Sequence, residues 1–142
     1  TLTVVILYDE KAYIANVGDS RCYLLQDNYL EKVTKDHSLV EELIAQNAIT
    51  EEEAKNHPRR NVITRALGTE RMIIVDIYKK DINKDDMLLL ATDGLTGCVE
   101  KEDIKDILSS DMSIEDISKN LIDIANINSG KDNVSVVLIK NN

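Results

Sequence analysis

Over its first 35 residues the chain sorts its apolar positions into four short runs divided by turn residues. Leu2–Tyr8 is one run, Asp9-Glu10-Lys11 a turn, and Ala12–Val17 the next run. Gly18-Asp19-Ser20 breaks it tightly, after which Arg21–Leu25 and Tyr29–Val33 flank Gln26-Asp27-Asn28. Short runs bounded by Gly, Asp and Asn predict strands, and four in succession predict an antiparallel β-meander. From Ser38 the period changes. Ser38 with Glu41 three residues on, ahead of Leu39, Val40, Leu43 and Ile44, predicts a capped helix. Thr50 with Glu53 repeats the cap before a second short helix, which His57-Pro58 stops. Arg59–Thr69 has no clean period and reads as a polar, mobile connector.

The rest of the chain alternates strands with helices. Ile73–Tyr78 and Met87–Thr92 read as strands around the turn Asn83-Lys84-Asp85. Glu102–Leu108 reads as a short helix. Ser113 with Asp116 caps a longer one, whose Ile114, Ile117, Leu121, Ile124 and Ala125 form a single stripe. Ser129-Gly130 ends it before a closing strand-like run, Val134–Ile139. With no internal repeat, low-complexity tract or linker, residues 1–142 read as one unit.

The run Met87-Leu88-Leu89-Leu90-Ala91-Thr92-Asp93-Gly94 carries the first chemical signal. A continuous apolar run reads as a strand covered on both faces. A carboxylate at its end loses hydration at a cost of several kcal/mol unless a cation or donors receive it. Gly130-Lys131-Asp132-Asn133 mirrors this arrangement ahead of Val134–Ile139. Two such carboxylates point to a hard cation. Each signal alone has a plainer reading, since Asp-Gly is a common turn dipeptide and Asn16–Ser20 resembles a hairpin turn.

Composition narrows the classes. The formal net charge is −9, from 26 acidic and 17 basic residues, and no stretch forms the basic patch that nucleic acid or an anionic membrane would require. Five Tyr without Phe or Trp leave no stacking platform for single strands. Cys22 and Cys98 lack the short spacing of a zinc motif and do not suggest a disulfide framework, which favours a reducing cytoplasm. A thiol phosphatase would need Arg at the sixth position after its Cys, where this chain has Ile104 and Asn28. No Gly-rich phosphate loop is present. Nothing near Thr1 reads as a signal peptide or membrane span, and a start inside a strand suggests a portion of a longer chain.

In order, Asn16–Arg21 (NVGDSR), Thr34–Ser38 (TKDHS), Asn56–Gly68 (NHPRRNVITRALG), Leu89–Thr96 (LLATDGLT) and Lys131–Val134 (KDNV) resemble the metal-dependent Ser/Thr protein phosphatases of type 2C, most closely the bacterial branch. The resemblance spans essentially the whole chain. It implies an α+β fold, an antiparallel β-sandwich with helices on both outer faces (αββα) and a pair of Mg²⁺ or Mn²⁺ ions at one edge. It implies that Asp93 and Asp132 ligate one of the paired metals, and that Asp19 helps hold a third, weaker ion with Asp93 shared. Residues 38–60 correspond to a variable flap beside the site that touches the substrate. Independently of the resemblance, Arg59, Arg60 and Arg65 could meet a phosphoprotein's charge, with Arg59 or Arg60 the candidate contact, although such Arg residues more often solvate a face or bond to loop carbonyls. The substrate implied is a phosphoprotein made by a Ser/Thr kinase. In this chemistry two hard cations offset the charge of the phosphate dianion and acidify an attacking water, and oxygen ligands suit both metals.

The family's N-terminal motifs, a phosphate-holding Arg, an NED-like motif and a DG-x-GG loop, do not occur within these 142 residues. The chain therefore reads as a partial phosphatase domain, weakly active or inactive by itself. The alternative is a non-catalytic, pseudophosphatase-like binding module, although a scaffold has no reason to keep Asp19, Asp93 and Asp132 together. His37 and His57 are expected to be structural or surface residues, and Cys22 and Cys98 packing residues. Missing N-terminal strands leave sheet edges and apolar faces open, which predicts self-association. Light scattering at high concentration is expected to show oligomers; a monomer would contradict this.

Overall fold

A computed structural model describes residues 1–141. Among these described residues seven strands form two antiparallel sheets: β1 (Leu2–Tyr8), β2 (Lys11–Val17), β3 (Arg21–Gln26), β4 (Tyr29–Lys32), β5 (Asp76–Asp81), β6 (Met87–Ala91) and β7 (Val136–Lys140). The first sheet has the order β1-β2-β5 and the second β4-β3-β6-β7. Five helices accompany them: α1 (Leu39–Ala45), α2 (Glu51–Lys55), α3 (Asp93–Thr96), α4 (Lys101–Leu108) and α5 (Ile114–Asn128).

Alternation along β3 and β6 builds two cores from one sheet. Cys22, Leu24 and Leu88 face the first sheet and pack with Ala12, Ile14 and Ile82. Tyr23, Leu89 and Ala91 point the opposite way, onto Leu95, Ile104, Leu108, Ile117, Leu121 and Ala125 of the helices. The uninterrupted run Leu88-Leu89-Leu90 is thus a strand covered on both sides, as its sequence predicts. The stripe on α5 faces this second core with Ile117, Leu121 and Ala125 buried.

Several local expectations hold in detail. β1 spans the predicted residues. Its turn at Asp9 and Glu10 has φ of 51° and 55°, and the turn at Asp27 and Asn28 has 50° and 60°, the left-handed pairs that suit two-residue hairpins. Thr50 and Glu53 form a full capping box, whereas Ser38 caps α1 from one side only, by accepting from the Glu41 N–H.

Four expectations are corrected. The opening strands are not one meander, because β2 pairs with β1 and β5 while β3 pairs with β4 and β6. Gly18-Asp19-Ser20 is therefore the crossing between two sheets, not a hairpin turn. The strand expected at Ile73–Tyr78 lies later, at Asp76–Asp81. The closing strand begins at Val136, two residues after the expected start. Finally, Asp93–Thr96 is a short helix that the pattern did not reveal.

Helices α3, α4 and α5 cover the second sheet, but the outer face of the first is open. Val4, Ala15 and Ile77 stand in register on it, as do Ile6, Tyr13 and Lys79. Leu2, Val4, Ile6, Tyr8 and Ile77 are exposed there.

Truncating Leu121, which has no exposed surface in the helix–sheet core, is expected to lower stability by about 2–5 kcal/mol. Ile127→Ala on the exposed side of α5 should stay within about 0.5 kcal/mol. Urea unfolding midpoints check both.

Candidate functional site

Three loops gather at one end of the sandwich. The β2–β3 crossing carries Asp19, half-buried beside Gly18. Gly18 takes a φ of +115°, a conformation that side chains resist. The β6–α3 junction carries Asp93. β6 stops at Ala91, Thr92 stands at the N-cap and Asp93 is the first residue of α3. Its carboxylate is exposed at a helix start, so the predicted burial at a strand end is corrected although the residue stands at the site. The α5–β7 loop carries Asp132, also exposed, with Oδ1 accepting from the Asn133 N–H at 2.7 Å.

The last two loops are stapled together. The Thr92 N–H donates to the Ser135 carbonyl at 3.1 Å, and the Ser135 N–H donates to Thr92 Oγ1 at 3.0 Å. Gly94 lies beneath the junction, where an added Cβ would stand 2.3 Å from the Asn133 carbonyl oxygen. Only glycine permits this approach without moving the backbone.

Asp19, Asp93 and Asp132 line one cleft of about 1260 Å³. Burial pushes the Asp19 carboxyl above its ordinary range. The Asp93 charge acts in the same direction, Asp36 adds to it, and a bond from the residue's own backbone opposes it. Among the described residues, the ion pairs engage Asp36 and Asp76 but none of these three carboxylates. Two uncompensated carboxylates facing one space are the donor chemistry of a hard divalent cation. In that respect Asp19 and Asp93 fit a metal. The shell is partial, since no group of three or more His, Cys, Asp or Glu among the described residues is arranged to hold an ion.

Cations stand on the walls of the same cleft. Arg21 binds Asp36 through Nε and Nη2 at 2.9 and 2.7 Å to Oδ2, and its Nη1 donates to the Tyr23 hydroxyl at 3.3 Å. Lys32 reaches Asp36 at 2.9 Å and Glu41 at 3.6 Å. Asp36 is buried beneath both. Arg21 and Asp36 lie within the NVGDSR and TKDHS motifs, yet their pairing spans 15 residues and no local pattern reveals it. Arg60 lines the cleft, with Nη1 donating to the Lys55 carbonyl at 2.7 Å, whereas Arg59 is not among the lining residues. Lys55 pairs with Glu100 at 3.0 Å and so ties α2 to the start of α4.

The remaining candidates are structural. Cys22 is buried, and burial pushes its thiol up to about 12. The Cys98 thiol, also raised by burial, donates to the Gly94 carbonyl at 3.1 Å. His57 accepts from the Arg59 N–H at 3.1 Å. His37 is buried and belongs to a wider network.

A family model described as Protein phosphatase 2C matches residues 1–43 and 64–134. The serine/threonine phosphatase stp of Listeria welshimeri is 44% identical over 142 residues, which are 100% of this chain and 56% of that protein. The crystal structure of the serine/threonine phosphatase Stp1 from Staphylococcus aureus superposes with a TM-score of 0.94 at 39% identity, covering 99% of this chain and 55% of that one. The catalytic domain of the serine/threonine protein phosphatase PstP, solved in complex with 2 manganese ions, gives a TM-score of 0.85 at 32% identity, covering 96% of this chain and 56% of that one. The chain thus spans about half the length of these relatives. From the first strand to the loop of Asp132, it belongs to the protein phosphatase 2C family.

Proposed function

We propose that this chain supplies part of the catalytic domain of a Mg²⁺- or Mn²⁺-dependent phosphatase acting on phosphoserine and phosphothreonine in proteins. The observation that carries this reading is the gathering of Asp19, Asp93 and Asp132 from three loops on one cleft. Asp93 and Asp132 would hold one of the paired cations, and Asp19, with Asp93 shared, would help hold a further, weaker one. When bound, the metal supplies charge neutralisation for the phosphate and a water acidic enough to attack it. Asp36 keeps Arg21 and Lys32 fixed on the wall, which offsets part of the negative field of the carboxylates. Arg60 stands at the mouth, where it meets the charge of an arriving phosphopeptide, and Arg59 is assigned a lesser contact. Residues 44–63 fall between the two matched stretches of the family model, which supports a variable flap at about 38–60 within a single partial domain, 1–142. The substrates are assigned to a Ser/Thr kinase pathway. A cytoplasmic setting suits the free Cys22 and Cys98. No helix among the described residues is long and apolar enough to cross a membrane.

A second reading, a pseudophosphatase-like module that binds a phosphoprotein without turnover, is favoured by the incomplete ligand shell. Hydrolysis of a small aryl phosphate separates the two. The enzyme reading expects weak turnover that requires Mn²⁺ and vanishes in Asp93→Asn. It also expects Mn²⁺ at 100 times its dissociation constant to stabilise the wild type by about 2.7 kcal/mol. Mn²⁺ binding without turnover would favour a partial site, and metal-independent hydrolysis untouched by Asp93→Asn would overturn the proposal.

The Asp19 carboxyl supplies a pH test. Its folded-state pKa is raised, so the folded protein keeps this proton where the unfolded chain, with a pKa near 3.9, has lost it. The contribution of this group to stability is greatest below the unfolded value and falls as pH rises through the raised one. In the metal-free protein, Asp19→Asn is expected to remove that loss and to be more stable than wild type at neutral pH. Asp93→Asn is expected to lower the Asp19 midpoint seen in a carboxyl NMR titration.

A further inference from the structure

His37 is 6% exposed and holds Gly18 by both of its backbone polar atoms. The His37 N–H donates to the Gly18 carbonyl at 2.9 Å, and the Gly18 N–H donates to His37 Nδ1, also at 2.9 Å. A backbone N–H can only donate, so Nδ1 is the acceptor and the ring proton sits on Nε2. Nε2 lies 3.1 Å from Asp76 Oδ2. Arg65 Nη1 converges on the same carboxylate at 2.9 Å and donates to the Ile74 carbonyl at 3.0 Å; it also stands 2.9 Å from His37 Nε2, and since a guanidinium only donates, this is a contact of two donors that share Asp76 and not a bond between them. Burial alone would raise the Asp76 carboxyl, but the bonds from His37 and Arg65 outweigh it and hold it below the usual carboxylate range.

The same residue stands where the flap begins and ends. The Thr64 N–H donates to the His37 carbonyl at 2.9 Å, the Leu39 N–H donates to the Val62 carbonyl at 2.9 Å, and Ser38 bridges Ile63. Three parts of the chain therefore meet on one imidazole and its backbone: the crossing that carries Asp19, the two ends of the flap, and the start of β5. Asn16 Nδ2 adds a longer bond of 3.3 Å to the Gly18 carbonyl, but nothing in that side chain engages the Gly18 N–H. With φ at +115°, Gly18 has little intrinsic preference for this conformation, and the ring supplies the restraint.

We propose that His37 is a positioning residue for the metal site: its Nε2–H tautomer, anchored by Asp76, clamps Gly18 and so aims the Asp19 carboxylate into the cleft. The proposal rests on the reading of Asp19 as a metal ligand. It separates the two halves of the ring. Nδ1 acts on the crossing directly, and Nε2 only sets the tautomer and orientation, as the outer partners of ligating groups do. In His37→Asn the amide oxygen can replace Nδ1 as acceptor for the Gly18 N–H. In His37→Gln the amide extends toward the position of Nε2, and in His37→Ala neither contact survives.

The test is titration of the 142-residue chain with Mn²⁺ alone, followed by calorimetry, for wild type, the three His37 variants and Asp19→Asn, with urea stability measured alongside. His37→Gln and His37→Ala are expected to weaken Mn²⁺ binding about tenfold or more, a loss typical of outer-shell changes, and His37→Asn is expected to restore most of the affinity. Equal affinities for folded His37→Gln and wild type, with Asp19→Asn weakened, would overturn the positioning role and leave the metal reading intact. An Asp19→Asn protein that binds Mn²⁺ like wild type would overturn the metal reading and the proposal together. Nitrogen NMR of the wild-type imidazole needs no variant: a bare Nδ1 bonded to the Gly18 amide is expected, and a proton on Nδ1 would overturn the clamp.

Discussion

Strands β3 and β6 are buried on both faces, and the placement of charge in this molecule follows from that. Leu88 and Leu24 fill one core and Leu89 and Tyr23 the other, so neither strand has a side on which a carboxylate keeps its hydration. Ionised groups buried without a partner are costly. They can stand only where the strands run out, and there Asp19 precedes β3 and Asp93 follows β6. The antiparallel pairing of Arg21 with Ala91 brings those two ends together. The cleft is thus a geometric consequence of a double-sided sheet.

Burying acidic groups and gathering them carries a penalty: burial first, and then the charges of Asp93 and Asp36, raise the Asp19 carboxyl. The fold limits it by pairing the charges it can. Asp36 is buried against Arg21 and Lys32, and Asp76 receives Arg65 and His37. Removing one member of such a pair would leave a buried charge without compensation, the expensive case. Asp19, Asp93 and Asp132 are left outside this arrangement, while the loops beneath them are fixed by Thr92, Gly94 and His37. Rigid supports under uncompensated carboxylates make sense where a cation completes the balance.

Local chemistry was legible where the information was local. The hairpin turns, the Thr50–Glu53 box and the apolar stripe of α5 each lie within a few residues and were read nearly to their boundaries. β5 was misplaced because its alternation is inverted: Ile77 points to solvent, while Lys80 turns inward to pair with Glu31. The preceding Ile73-Ile74-Val75 looks more like a strand, yet Ile74 and Val75 are exposed in a connector. The crossing at Gly18 was mistaken for a hairpin turn because its partners, β5 and β6, lie some sixty residues away. Asp93 stands at the site, but its carboxylate is exposed at a helix start and not buried at a strand end, because the short helix leaves no mark in the local pattern. His37 and Arg21 stayed hidden because their roles depend on contacts 19 and 15 residues distant.

The central claim is that the strand-end carboxylates share a divalent cation. A crystal grown with Mn²⁺ and measured at the manganese absorption edge tests it directly. The account predicts an anomalous peak inside the cleft within coordination distance of Asp19 and Asp93. A peak elsewhere on the surface, or none at saturating metal, would contradict it.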